Sequence, residues 1–230
     1  MATRQVLADL AALWQQRSGC AVAIESVGGV DAVRRIEAGE PFDVVVLAAD
    51  AVDKLIAAGR VRADGKVDLV SSGVAVAVRT GDAAPDIGTE AALRQAVQAA
   101  PSIGYSTGPS GVALIRLFER WGIADAIRPR LMQAPAGVPV AALLARGEVA
   151  LGFQQLSELL NVPGVHVVGP LPDAVQITTI FCAGLCPASP HDAQVREMMA
   201  FMASPAAHET MRRHGMAPVA ARSDAGGAGH

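Results

Sequence analysis

Four hydroxyl side chains crowd residues 105–111, where Tyr105, Ser106, Thr107, Gly108, Pro109, Ser110 and Gly111 follow in turn. An apolar strand pattern ends at this segment and an amphipathic helix pattern starts inside it. The hydroxyls therefore fall at a helix N-terminus, where neutral donors and exposed N–H groups can hold carboxylate or oxyanion oxygens. Read without a ligand, the same residues form a capped loop with Ser110 as N-cap.

Three other helix starts are preceded by small residues that let a ligand approach the backbone: Ala2 and Thr3; Gly28, Gly29 and Val30; and Ala136, Gly137, Val138 and Pro139. Each could cradle an anion, and small residues also simply start helices. Arg4 lies in the first turn of a helix, where a cation opposes the helix dipole, so its placement points to an external anion or to a solvated side chain. Gln154 and Gln155 follow an apolar strand and could turn two amides into a crevice, although loop glutamines usually face solvent.

Enzyme motifs are sparse. The chain contains no G-x-S-x-G elbow, no phosphate loop of the G-x-x-x-x-G-K-[ST] type, no H-E-x-x-H and no paired-cysteine zinc spacing. His166, His191, His208, His214 and His230 form no ligand pattern, so neither metal nor cofactor is expected. Cys182 and Cys186 lie four apart in a strand-like segment, roughly 13 Å apart if extended, and with Cys20 are expected as free thiols.

The elements that position these residues alternate along a chain of 230 residues with 51% hydrophobic residues and a net charge of −3. Nineteen basic against 22 acidic residues give no basic excess for nucleic acid. No run is long and apolar enough for a membrane helix. Helices are expected over residues 3–17, 30–38, 51–58, 89–99, 111–121, 138–146, 156–160, 192–203 and 205–213. Strands are expected over 21–26, 43–48, 74–79, 102–105, 150–153, 165–168 and 176–183. Alternation of this kind predicts an α/β protein with a largely parallel sheet. Residues 220–230 lack periodicity and are expected to be a disordered tail. The chain opens on a helix with no strand to deliver it, which suggests that Met1 is internal to a longer, exported protein. A true start at Met1 would instead imply the cytoplasm.

Residues 38–50, A-G-E-P-F-D-V-V-V-L-A-A-D, followed by V-D-K-L-I-A-A-G at 52–59 and R-G-E-V-A-L-G at 146–152, resemble signatures of the molybdate-type extracellular solute-binding proteins of ABC transporters. The similarity spans roughly residues 1–216. It implies a type II periplasmic-binding-protein-like fold: an α/β chain in two lobes, joined by two crossover strands near 73–78 and 175–179, with the ligand in the cleft. Lobe I would comprise 1–72 plus 177–219, and lobe II 73–176. A small anionic ligand, an ABC permease partner, a monomeric state and a periplasmic setting come with the resemblance.

Position by position, the family's two serine donors fall on Ala2 and Gly29, its backbone donors on Ser110 and Val138, and its pocket tyrosine on Gln155. Losing two hydroxyls enlarges the site and favours an organic di- or tricarboxylate over molybdate. Thr3, Arg4, Gly28, Gly29, Val30, Tyr105, Ser106, Thr107, Ser110, Gly111, Gly137, Val138, Gln154 and Gln155 are the expected ligand-binding residues. Aconitate isomerase, which shifts a proton across an allylic tricarboxylate, is similar to this family and gives the alternative expectation of an isomerase. Tyr105, the Ser106 loop, Glu25 and Asp31 are candidates for its base, and no pair of groups is plainly tuned for it.

Overall fold

The computed structural model describes residues 2–219, so the tail expected at 220–230 lies outside the described residues. In chain order, α1 (Arg4–Ser18) and α2 (Gly29–Glu37) precede β1 (Val44–Ala48), α3 (Ala49–Ala57) and the long β2 (Lys66–Arg79). Next come α4 (Glu90–Ala99), β3 (Ile103–Tyr105), α5 (Pro109–Arg120), α6 (Ala124–Ile127) and β4 (Leu131–Gln133). After them follow α7 (Val140–Ala145), β5 (Leu151–Gln155), α8 (Leu156–Leu159) and β6 (Val165–Pro170). The chain closes with β7 (Thr178–Leu185), α9 (Asp192–Met202), α10 (His208–Arg213) and β8 (Ala217–Pro218).

β2 belongs to two sheets at once. Its first half pairs antiparallel with β7, from Lys66 against Gly184 to Gly73 against Thr178. From Val74 onward it pairs with β5 and β6 instead. The first sheet runs β1–β7–β2 with β8 also on β2, and the second runs β6–β2–β5–β3–β4. Among the described residues only β3–β4 and β3–β5 are parallel, which corrects the expectation of a largely parallel sheet. Both crossover strands run against their neighbours, and that direction dominates the pairings.

Side-chain alternation along β2 sets both faces of the second sheet. Val74, Val76 and Val78 pack with Leu93, Leu114, Phe118 and Phe153 beneath α4 and α5. Ala75 and Ala77 face α7, where their small side chains admit Val140, Leu143 and Leu144. In the first lobe, Val6, Leu10 and Trp14 of α1 pack with Met198, Met199 and Met202 of α9 on one face of the sheet. Ile36 and Leu55 of α2 and α3 cover the other face. A surface network of Arg62, Asp64, Asp192 and Arg196 pins the start of α9 to the turn before β2; being exposed, it adds little stability.

The strand expected over 21–26 does not form. A strand needs a ladder partner, and this segment lines the same cavity as β1 rather than pairing with it. β1 pairs with β7 alone among the described residues. The expectations also missed the first half of β2 and the short α6, β4 and β8.

Phe118 is fully buried, edge-on to Phe153 and tilted against Trp121, with ring centroids 5.9 Å away in each case. Phe118→Ala is expected to lower unfolding free energy by about 3–5 kcal/mol, read from urea midpoints at unchanged m-value.

Candidate functional site

A cavity of about 820 Å³ is walled by both lobes. It brings together Ala2 and Thr3 ahead of α1, Gly28, Gly29 and Val30 at α2, residues 106–110 ahead of α5, and Ala136, Gly137, Val138 and Pro139 ahead of α7. Gln155, Glu158 and Thr179 line it as well. From this polar part it extends along the free side of β1 to Phe181 and Met198.

Arg4, Tyr105, Gly111 and Gln154 are not among its lining residues. Arg4 is exposed, whereas its neighbours Thr3 and Val6 are buried, so α1 turns the guanidinium outward. Tyr105 shares a face of β3 with the fully buried Ile103, two residues earlier, and so packs toward the core under α5. Gly111 serves packing: a Cβ there would lie 1.9 Å from the Ser106 carbonyl oxygen, so the hydroxyl loop can rest on α5 only over glycine. Gln154 faces α7, where its Oε1 accepts from the Ala141 N–H at 3.1 Å.

That bond also corrects the reading of α7 as an open anion cradle. Ala141 is already satisfied, and the Val138 N–H donates to the Pro135 carbonyl at 2.9 Å. The two longer helices remain. α2 directs its first N–H groups and positive dipole end at the cavity. α5 directs its positive dipole end there too, but it begins with Pro109 and its Gly111 N–H donates to the Gly108 carbonyl at 3.0 Å, so the Ser110 N–H is the first-turn amide it offers. Ser106 Oγ and Ser110 Oγ lie 3.2 Å apart, the Ser110 side chain being largely buried.

Cations reach the wall from α2 and α3. Arg34 and Arg35 of α2 and Lys54 of α3 all line the cavity. Arg35 bonds Glu25 and Glu40 at 2.7 Å each and lies 4.8 Å over the Phe42 ring, so its charge is largely spent within the lobe. The hydrogen bonds it donates to both carboxylates, Glu40 foremost, hold its pKa above the ordinary arginine value.

Gln155, on the opposite face of β5 from Gln154, is the glutamine that meets the cavity. Its Nε2 donates to Thr179 Oγ1 at 2.8 Å, tying β5 to the second crossover, and its Oε1 is buried without a partner. Ser157 Oγ, two residues on, is likewise buried and unbonded. Glu158 then presents a half-buried carboxyl. Burial pushes its pKa above the ordinary glutamate value, against the opposing effect of the Gln154 side chain. Neither Glu158 nor Thr179 was among the expected site residues. Thr179 ends the range expected for the second crossover, but no pattern marked Glu158.

All three cysteines are free. Burial pushes the Cys182 thiol up to about 12 and Cys186 up to about 11, so neither is a thiolate at neutral pH.

The family profile described as bacterial extracellular solute-binding protein matches residues 1–217. An aconitate isomerase from Pseudomonas sp is 41% identical over 189 residues, covering 82% of this chain and 72% of that protein. Among solved structures, the Azotobacter vinelandii periplasmic molybdate-binding protein aligns with a TM-score of 0.76 at 20% identity, over 93% of this chain and 94% of its own. The substrate-binding domain of a molybdenum ABC transporter from Clostridium difficile gives the same TM-score at 15% identity, over 95% and 96%. These likenesses establish the two-lobed fold with its crossover strands and interlobe cleft.

Glu158→Gln gives a direct reading of the buried carboxyl. A carboxyl whose folded pKa is raised stabilises the fold at low pH, and that contribution is lost as pH climbs from the ordinary glutamate range through the raised value. The glutamine variant has no such loss, so its unfolding midpoint should rise relative to the parent as pH goes from 4 to 7. A thermal unfolding series followed by circular dichroism checks this.

Proposed function

Because the chain belongs to the family of bacterial extracellular solute-binding proteins, we propose that its lobes close on a small organic polyanion of the di- or tricarboxylate class. The observation that carries this reading is the meeting of the Ser106–Ser110 hydroxyls with the starts of α2 and α5 around one cavity. Carboxylate groups would lie at the two helix starts, with hydroxyls and first-turn amides as donors. Ala2 and Gly29 bring no hydroxyl to the wall, which supports a ligand larger than a tetrahedral oxyanion. Delivery to an ABC permease in the periplasm is the transport role that fits such a closing cleft.

A second reading is turnover in the same cleft. It is favoured by the relative named aconitate isomerase and by a half-buried carboxyl on the cavity wall, a group that binding an anion does not require. Isomerisation of an unsaturated tricarboxylate needs one proton moved between two carbons, and no redox partner.

Calorimetric titration with trans-aconitate and with molybdate tests the ligand class. Heat with the carboxylate and none with molybdate is expected; tight molybdate binding without carboxylate binding would overturn the reading. Ser110→Ala should weaken carboxylate binding about 3- to 10-fold, the worth of one neutral hydrogen bond. Arg4→Ala should change it less than about twofold, since a solvated charge outside the cavity contributes little.

A further inference from the structure

We infer that Glu158 is the general base of the cleft, taking a proton from the methylene carbon of an unsaturated polycarboxylate and returning it to the far carbon of the double bond. The inference rests on the turnover reading and names the residue that would perform it.

Among the described residues, four carboxylates line the cavity: Glu25, Asp31, Glu37 and Glu158. Glu25 is bonded to Arg35 at 2.7 Å, and Asp31 lies 3.4 Å from Arg34. Both carboxylates are thus already engaged in ion pairs within the first lobe. Glu37 is exposed at the last position of α2, at the far end from the helix start that faces the cavity. Glu158 has no Lys or Arg partner among the described residues, is half-buried, and sits beside the Gln155–Thr179 bridge. Its environment raises its affinity for a proton, which suits a group that must both take one and give it back.

A second observation marks the same place. Gln155 Oε1 and Ser157 Oγ, immediately before Glu158 in the chain, are both buried with no hydrogen-bond partner. Buried polar atoms are normally bonded; Ser157 is not on the cavity wall, but Gln155 is, and turning its amide over would let Oε1 accept from the Thr179 hydroxyl and Nε2 donate to a carboxylate in the cavity.

The step balances without a co-reactant. The allylic C–H bond breaks as the Glu158 O–H bond forms, and the electron pair spreads over the three allylic carbons and the attached carboxylate. The former double bond becomes single as the proton returns to its far carbon, and the new double bond forms where the proton left. Charge gathers on carboxylate oxygens, where the first amides of α2, the Ser110 amide and the Ser106 and Ser110 hydroxyls can stabilise it.

Proton NMR of trans-aconitate in D₂O with the full chain tests the assignment. The parent should exchange the allylic hydrogens and produce the cis isomer. Glu158→Gln should slow both by at least about 100-fold while its calorimetric affinity stays within a few-fold. A glutamine variant that turns over within tenfold of the parent overturns the role of Glu158 and leaves the turnover reading standing. A parent that neither exchanges nor isomerises removes the turnover reading, and Glu158 with it. If the glutamine variant does not fold, Glu158→Asp decides: at least a tenfold slower rate at unchanged affinity supports the assignment, and an unchanged rate overturns it.

Discussion

The structure depends on one strand that serves two sheets. β2 is hydrogen-bonded to β7 up to Gly73 and to β5 and β6 from Val74, so the two lobes share a backbone and cannot form without agreeing on its register. A shift of one residue would turn Val74, Val76 and Val78 from the α5 side to the α7 side and put alanines where the larger core expects valines. The cleft exists because the handover occurs midway along the strand, leaving a seam crossed by backbone and by the Gln155–Thr179 bond.

Around that seam, chemistry is set by what the helix starts have left over. Ahead of α7 the Val138 amide is used on Pro135, and within it the Ala141 amide is used on Gln154, while α2 and α5 open onto the cavity. Charge follows a similar economy, since Arg35 is held between two glutamates and above Phe42. What faces a ligand is therefore a set of neutral hydroxyls and amides with charged groups around them, chiefly Arg34 and Lys54 and the Glu158 carboxyl with its raised proton affinity. Such a wall suits an anion whose charge is to be redistributed as well as one that is merely held.

Much of this was legible in the sequence. Glycine and proline punctuation placed most helices, and the hydroxyl loop at 106–110 stood out because strand, small residues and helix follow in quick succession. The side-chain directions were harder. By residue type Tyr105 belongs with the hydroxyls of the cleft, whereas its spacing from Ile103 puts both on the core face; Gln154 and Gln155 are alike by type, whereas neighbours in a strand point to opposite sides. The start of α7 looked like a free cradle because the bond from Ala141 to Gln154 spans 13 residues. Glu158 carried no local signal at all, since its burial comes from elements distant in sequence. The antiparallel direction of most pairings was hidden for a related reason: strand direction is decided by crossovers, and local periodicity is blind to it.

The pairing of Gly73 with Thr178 also fixes an order of events during synthesis. The second sheet can assemble from segments that leave the ribosome close together, because β3, β4, β5 and β6 all lie between those two residues. The first sheet must hold the early half of β2 open until β7 arrives roughly a hundred residues later, a long loop whose closure is entropically slow. The inserted lobe should thus be native while its host is still waiting. The ends of the insert emerge side by side, so the folded insert itself brings the halves of the first lobe within reach.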